Sequence, residues 1–493
     1  FMPVELEDMN LTIAVEYPLN TKTMDEIQLQ LGVNSVQVVL ARQQEIREAL
    51  KVYYGFAADT VERIFSSSDA NQIERQEEVL PEEIDRKVED ASVVRLVNEI
   101  LYEAYQRHAT DIHFEPYRGE FRLRYRIDGI LQDANLSQKA AHLILPILSR
   151  IKIMANLDIV EHRLPQDGRV MVKVKNQNLD LRISSIPTPH GESIVVRVLP
   201  TQMTFDLRKL GLKEENVRKF EKLISKNHGI ILLTGPTGSG KTTTLYTCLN
   251  QINSKEKKII TIEDPVEYEI PGITQIQVKP NVGLDFAKGL RSMLRHDPDI
   301  MMVGEIRDYE TAEIAIRSAL TGHLVFSTLH TNDAASGVTR LLDIGLEPFL
   351  VASSIEAIIA QRLVRVICSK CRAEDATDQS ALKCQIAADL GLKSLKEVRI
   401  YKGKGCDACH QTGFSGRTAI HEIVSFNQAI KDLVLNKASS LDIKAKAVEN
   451  GMMTLRQDGW LKVISGVTTP GEVINVVNLE EQTVKKDTVF TKP

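Results

Sequence analysis

Residues 235–242 read G-P-T-G-S-G-K-T, and these residue types have the spacing of a loop that wraps phosphate groups. The loop follows the apolar run 229–233 and precedes residues 243–249, which read as a helix. Glycines let the backbone turn its N–H groups towards phosphate oxygens, and the helix N-terminus adds a positive dipole end. We expect Lys241 to reach the β and γ phosphates of ATP and the Thr242 hydroxyl to bind Mg²⁺. The predicted nucleotide contacts are Gly235, Pro236, Thr237, Gly238, Ser239, Gly240, Lys241, Thr242 and Thr243.

Two carboxylates follow apolar runs further along the chain. Glu263 comes directly after the run 258–262, and Glu305 follows the run 300–303. Glu263 is the candidate general base that polarises the attacking water, and Glu305 the candidate acid that acts on the hydrated metal; the two could also share this work. A single acid after a buried strand is often a helix cap or a turn residue. Two such acids behind one phosphate loop favour hydrolysis.

Two histidines, His323 and His330, bracket a further apolar run, 324–329. They are candidates for sensing the γ phosphate or for contacting a neighbouring subunit, because a fourth core strand would approach the nucleotide here. A structural role at a strand end is the alternative.

Four of the six cysteines form two C-x-x-C pairs, Cys368/Cys371 and Cys406/Cys409. Four thiolates can close a tetrahedral shell around Zn²⁺ and leave no position for water, so the predicted zinc is structural. The 34 residues between the pairs exceed the usual finger loop. A redox pair is the alternative, but neither pair opens a thioredoxin-like helix.

The elements that must position these residues follow from the pattern of apolar residues. From about residue 207 to 365, strands alternate with helices, which is typical of an α/β fold with a parallel sheet and ligands at the carboxyl ends of its strands. Residues 91–104 predict an amphipathic helix, and the alternating runs 121–127, 170–174 and 179–183 predict strands of an α+β domain. The strands of this domain present a row of arginines, for which solvated strand faces are the alternative explanation: Arg122, Arg124, Arg126, Arg169, Arg182 and Arg197.

The amino-terminal part of the chain gives weaker signals. The run 35–52 has apolar residues at helical spacing within a small docking domain, and residues 66–90 carry nine acids and three bases, as expected of a solvated linker. The net charge is -5, so the rest of the chain is close to neutral and has no basic surplus for a nucleic acid. The chain has no apolar run long enough to span a bilayer and no signal peptide, which predicts a cytoplasmic protein.

Several strings together resemble the bacterial secretion and pilus-assembly ATPases, the group that includes the type II secretion ATPase GspE and the type IV pilus assembly ATPase PilB. They are A-T-D-I-H-F-E at 109–115, R-L-P-Q-D-G-R at 163–169, E-D-P-V-E at 263–267, G-E-I-R-D at 304–308 and T-G-H at 321–323. The likeness covers about residues 88 to 475 and is nearest to GspE. Alternation of Asp111, His113 and Glu115 could suggest a metal site, but it is more typical of a domain interface.

The resemblance implies a hexameric ring of RecA-like ATPase domains, each preceded by an α+β (PAS-like) domain. It implies that arginines of both domains reach the phosphates, at the matching positions Arg182, Arg197, Arg291, Arg295, Arg307 and Arg417. It further implies peripheral attachment to the inner membrane through platform proteins that bind the N-terminal domain. The tetracysteine insert is typical of the branch that secretes or assembles.

These observations predict six segments: 1–65 for partner docking, 66–90 as acidic linker, 91–203 as the α+β domain, 204–365 as the ATPase core, 366–415 as the zinc subdomain and 416–493 as a helical C-terminal region. The leading hypothesis is an ATP-driven motor for pseudopilus or pilus assembly. A RecA-like nucleic-acid translocase and an ATP-gated scaffold without turnover are the competing hypotheses. The cargo, the membrane partner and the choice between secretion and pilus assembly stay open.

Overall fold

A computed structural model describes residues 2–43, 45–46, 49, 91–118, 120–134, 143–175, 177–199, 205–377 and 379–477. The chain divides into two compact units, one before and one after residue 204. The predicted acidic linker, 66–90, lies outside the described residues, as do residues 51–65 of the docking segment and the tail after 477.

The N-terminal residues form a three-stranded sheet with one helix. β1 (Met2–Glu7) runs antiparallel to β2 (Asn10–Val15), and the helix Thr21–Leu31 leads to β3 (Ser35–Leu40), which is parallel to β2. The helical periodicity predicted from residue 35 is therefore wrong over Ser35–Leu40. This run is rich in β-branched valine, and its pairing with β2 over six residues outweighs a weak local helical pattern.

The second part of this unit is an antiparallel sheet of six strands in the order β6-β5-β4-β9-β8-β7. The predicted helix and strands are confirmed. Apolar residues of one sheet face, such as Ile112 and Tyr125, pack in a core with Leu96 and Ile100 of the first helix. The helices are Ala91–Gln106 and Ile144–Met154; the strands are β4 (Ala109–Tyr117), β5 (Glu120–Ile127), β6 (Ile130–Asp133), β7 (Gln166–Val174), β8 (Gln177–Thr188) and β9 (Gly191–Leu199).

The second unit contains a seven-stranded sheet in the order β12-β11-β13-β14-β10-β15-β18, in which β18 is Phe414–Ser425. All its neighbouring strands pair in parallel except β18, which runs antiparallel to β15. Every residue of β10, β11, β13 and β14 is buried, as the apolar runs predicted. The strands are β10 (Gly229–Thr234), β11 (Ile259–Glu263), β12 (Thr274–Gln277), β13 (Ile300–Val303), β14 (Leu324–Leu329) and β15 (Ile355–Ile367). The helices are Glu214–Ile224, Lys241–Ile252, Phe286–Met293, Tyr309–Leu320, Ala334–Asp343 and Pro348–Ser354.

The cysteine-bearing segment is inserted between the last two strands of this sheet. β16 (Arg372–Glu374) pairs with β17 (Tyr401–Gly403), and the helix Ser380–Leu390 lies between them in the chain. β18 (Phe414–Ser425) then returns to the sheet beside β15. The region from 416 onwards is therefore not wholly helical, because it begins with a core strand whose partner is distant in sequence. The helices Gln428–Leu435, Ser440–Glu449 and Leu455–Ile464 follow.

Candidate nucleotide site and tetracysteine centre

The phosphate loop connects β10 to the helix Lys241–Ile252 at the carboxyl edge of the sheet. Gly238 and Gly240 have φ of 79° and 85°, in the left-handed region that favours glycine. A Cβ atom at Gly240 would lie 2.8 Å from Nε2 of Gln361 on β15, whereas one at Gly238 would meet nothing within 4 Å. Gly240 is therefore required by both conformation and space, and Gly238 by conformation alone.

The side chains of the loop include a buried lysine and two hydroxyls, as expected of a site for a nucleoside triphosphate. Lys241 is 9% exposed, and its Nζ donates to the carbonyl oxygens of Gly235 at 2.6 Å and Pro236 at 3.2 Å. Burial, and then the charge of Arg362, lower the pKa of Lys241 to about 8. The Ser239 hydroxyl is buried without a hydrogen-bond partner among the described residues, while Thr242 is exposed. The loop thus presents one cation and two hydroxyls, the residue types predicted to contact phosphate and Mg²⁺.

Glu263 ends β11 and is only 3% exposed. Its carboxylate accepts hydrogen bonds from the hydroxyls of Tyr246 and Thr261 and from Nε2 of Gln275, the last two at 2.6 and 3.0 Å. Burial beside this carboxylate raises the pKa of Tyr246 above its ordinary value, so the phenol stays protonated and keeps donating. Three hydrogen bonds therefore fix the position of the Glu263 carboxylate.

Glu305 lies just beyond β13 and faces other functional groups. Its carboxylate pairs with the guanidinium of Arg307 and lies 3.1 Å from Nε2 of His330. Burial alone would raise the pKa of Glu305, but the bonds from Arg307 and His330 outweigh it and lower the pKa. The charge of Glu305 is also felt by Lys241. Glu305, Arg307 and His330 therefore form one polar cluster at the carboxyl edge, in which the Glu305 carboxylate is ionised.

Other predicted contacts lie elsewhere on the described ATPase unit. His323 precedes β14 at the amino edge of the sheet, where its carbonyl accepts from the first residue of β10, Gly229. The segment after Arg295 reaches the start of β13 through the bond from Asp299 to Lys258, also at the amino edge. Within one chain, therefore, the described structure does not bring His323 or Arg295 to the phosphate loop.

The remaining predicted arginines occupy three elements. Arg291, on the helix before β13, pairs with Glu310. Arg417 is exposed on β18, opposite Arg365 of β15. In the first unit, Arg182 of β8 lies between Arg169 and Arg197 in the sheet register, a row of three arginines across neighbouring strands. Nε of Arg169 donates to Asp180, and Nε of Arg197 donates to Asp111 at 2.9 Å.

The four predicted zinc ligands converge. The sulfur atoms of Cys368, Cys371, Cys406 and Cys409 all lie within 4.8 Å of one another, with three pairs at 3.7 to 3.9 Å. Four thiolates at about 2.3 Å from a tetrahedral Zn²⁺ would be about 3.8 Å apart, so the donor set fits this metal. The backbone N–H groups of Cys406 and Gly413 donate to the Cys409 sulfur, which lowers its pKa to about 7 against the opposing effect of desolvation. The long insert between the pairs is the β16–β17 ribbon with its helix.

Two residues of the site, Gln361 and Arg362 on β15, were not predicted from the sequence. Both are buried and contact the phosphate loop or its neighbours. The available signal was a glutamine and an arginine inside the otherwise apolar stretch 357–364. Polar side chains in a buried strand need partners, which marks them as candidates.

Comparison with known proteins places the chain in a family. Residues 86–481 match the family described as Type II/IV secretion system protein, and residues 1–60 match the MshEN domain. The chain is 42% identical over 478 residues to the type IV pilus assembly ATPase PilB of Myxococcus xanthus, covering 96% of this chain and 83% of that protein. It is 44% identical over 478 residues to type II secretion system protein E of Xanthomonas campestris pv. campestris, covering 96% and 82%.

A solved structure agrees with these relatives. The crystal structure of the pilus retraction motor PilT with bound ADP is 26% identical, with a TM-score of 0.53 over 77% of this chain and 96% of that one. With a phosphate loop, a strand-end carboxylate cluster and these relatives, the chain belongs to the Type II/IV secretion system protein family and is an ATPase of that family.

Proposed function

We propose that this chain is the subunit of a hexameric motor that hydrolyses Mg·ATP to drive pseudopilus or pilus assembly, and with it protein transport at the inner membrane. The observation that carries the proposal is the phosphate loop with the cluster of Glu305, Arg307 and His330 at the same sheet edge. Binding alone needs the loop, whereas hydrolysis needs an ionised acid beside it. The net charge of -5 gives no support to the nucleic-acid translocase.

Lys241 would bind the β and γ phosphates, and Thr242 would hold Mg²⁺, which neutralises charge on the transferred phosphoryl group. Of the two candidate acids, Glu305 is our choice for acting on the attacking water. Its lowered pKa keeps it ionised, and its partners are a histidine and an exposed arginine that can rearrange. Glu263, with three donors and 3% exposure, would maintain the site's shape.

The arginine row supports a site completed by a second domain. Like charges on directly opposed strand residues are unfavourable, and Arg169, Arg182 and Arg197 oppose one another in the register of three neighbouring strands. A phosphate group would relieve this repulsion. We propose that Arg182 and Arg197 reach nucleotide in the ring, and that Arg291, Arg295, Arg417 and His323 act across a subunit boundary.

Attachment to the membrane would be through partners of the N-terminal domain. Among the described residues, no helix is both long enough and apolar enough to cross a bilayer. The MshEN match at 1–60 supports a separate docking domain, and we propose that it binds the inner-membrane platform. The tetracysteine centre would hold Zn²⁺ through Cys368, Cys371, Cys406 and Cys409 and brace the insert between β15 and β18.

Phosphate release from the purified chain tests this function. Lys241→Ala is expected to lose turnover, and equal background rates in both proteins would support the scaffold instead. Comparing Glu305→Gln with Glu263→Gln then tests the acid. We expect Glu305→Gln to lower kcat by about a hundredfold or more while nucleotide still binds. A larger loss of kcat in a folded Glu263→Gln protein would reverse the assignment.

A further inference from the structure

β15 carries two buried polar residues at the point where it passes the phosphate loop. β15 pairs in parallel with β10, and Ala360 is the register partner of Thr234, so Gln361 and Arg362 come level with the start of the loop. Gln361 is 1% exposed and Arg362 is 5% exposed. Burying an amide and a guanidinium is costly unless their bonds are used, so the partners of these side chains indicate what they do.

The Gln361 amide joins the loop to the helix that follows it. Its Nε2 donates to the carbonyl oxygen of Ser239 at 2.8 Å, and its Oε1 accepts from the Thr244 hydroxyl at 2.7 Å. The close approach of this amide to Gly240 leaves no room for a Cβ there. One side chain thus sets the curvature of the loop just before Lys241.

Arg362 lies between the loop and a second segment. Its Nη1 donates to the Gln361 carbonyl at 3.1 Å and would lie 3.0 Å from a Cβ at Gly235, while Nη2 donates to the carbonyl oxygen of Asn332. Asn332 follows His330, which contacts Glu305. Arg362 therefore lies against the first glycine of the loop and is hydrogen-bonded to the segment that carries a partner of the candidate catalytic acid.

We propose that Gln361 and Arg362 are positioning residues: Gln361 keeps the phosphate loop in its binding shape, and Arg362 couples that loop to the segment from His330 to Asn332. Neither residue needs to touch the reacting atoms. Gln361 therefore governs nucleotide affinity, because nucleotide binds only to the fraction of molecules in which the loop has its binding shape. Arg362 governs turnover, because it affects the position of the Glu305 carboxylate through His330.

Two substitutions in the full-length chain separate these roles. Gln361→Glu replaces the donor that faces the Ser239 carbonyl with a carboxylate oxygen, and Arg362→Gln removes the bond to Asn332. The first control is Gln457→Glu, because the Gln457 amide likewise donates to a backbone carbonyl, that of Asp389. The second is Arg365→Gln, because Arg365 lies on β15 like Arg362 but pairs with Glu472. Neither control residue contacts the loop in the described structure.

The Kd of a fluorescent ADP analogue is measured without turnover, and KM and kcat for ATP hydrolysis are measured in parallel. For Gln361→Glu we expect Kd and KM to rise about tenfold relative to Gln457→Glu, with kcat changed less. For Arg362→Gln we expect kcat to fall about tenfold with Kd nearly unchanged, and Arg362→Lys to recover part of the loss. The kcat and KM results rest on the proposed hydrolysis, whereas Kd does not. Absence of turnover in every protein would therefore refute that function and leave Kd to judge Gln361.

A Kd for Gln361→Glu equal to that of Gln457→Glu would overturn the role of Gln361. An equal rise in Kd in both variants, accompanied by an equal loss of thermal stability, would also overturn it. Should Gln361→Glu not fold, the uncharged Gln361→Met and the partner change Thr244→Val provide the same test. Equal kcat in Arg362→Gln and Arg365→Gln would overturn the coupling role of Arg362.

Discussion

Replacing Gly240 and Gly238 separately by alanine tests how the loop binds nucleotide, because the two positions share a positive φ but differ in the space available to a Cβ atom. Both have positive φ, 85° and 79°, but a Cβ meets Nε2 of Gln361 at 2.8 Å in the first and nothing within 4 Å in the second. The left-handed conformation costs an alanine about 1–2 kcal/mol. Gly238→Ala should therefore weaken ADP binding by roughly five- to thirtyfold if the loop relaxes in the free protein.

Gly240→Ala adds a clash that must displace the Gln361 amide. The displaced amide loses its bonds to Ser239 and Thr244, and leaving such buried groups unpaired costs about 1–3 kcal/mol more. The dissociation constant for ADP should therefore rise a further fivefold or more above that of Gly238→Ala. Calorimetric titration with ADP measures both constants, and thermal unfolding shows whether each protein is folded. Equal dissociation constants would refute the argument that Gln361 makes Gly240 obligatory.

Two further predictions concern the rest of the chain. Cys368→Ser should lose the zinc that metal analysis is expected to find at about one per chain in the parent protein, since three thiolates leave the shell open; zinc retained at full occupancy in the variant would contradict this. In the first unit, Lys152 donates to Glu192 at 2.8 Å with both side chains buried, so Glu192→Gln should cost about 3–5 kcal/mol of unfolding free energy. Burial tends to raise the pKa of Glu192, but bonds from Lys152, His162 and Ser185 outweigh it and lower the pKa. The pair therefore stabilises the fold above the ordinary carboxyl pKa, and this stability is lost as the pH falls through the lowered pKa of Glu192. Chemical denaturation should accordingly show that the stability of Glu192→Gln depends less on pH in the acid range than that of the parent protein.

The parts of the site that are contiguous in sequence were predictable. The phosphate loop, its strand and its helix occupy 229–252, and the two cysteine pairs each occupy four residues, so residue type and spacing were sufficient. The strands β10, β11 and β13 were predictable because strands buried on both faces are continuous apolar runs. The antiparallel strands β5, β7 and β8 showed alternation for the opposite reason, since one face is solvated.

Parts that depend on distant partners were not predictable. β3 has too few residues for its valines to outweigh an apparent helical spacing until it pairs with β2. β18 joins the sheet across an insert of 46 residues, and no local pattern names its partner. Arg295 and His323 have the residue types of phosphate ligands, but the direction of their strands places them at the opposite edge from the loop.

The sequence by itself determined the chemistry of this protein: a phosphate loop, acids at strand ends and four thiolates, because each is a short pattern of residue types whose function follows from local geometry. Only the tertiary structure decided which of these groups meet. It joined Glu305 to His330 and Arg307, enclosed Glu263 among three donors, and brought Gln361 and Arg362 of β15 to the loop over more than a hundred intervening residues. The order of strands in a sheet is set by the packing of the whole core, which a local pattern does not contain.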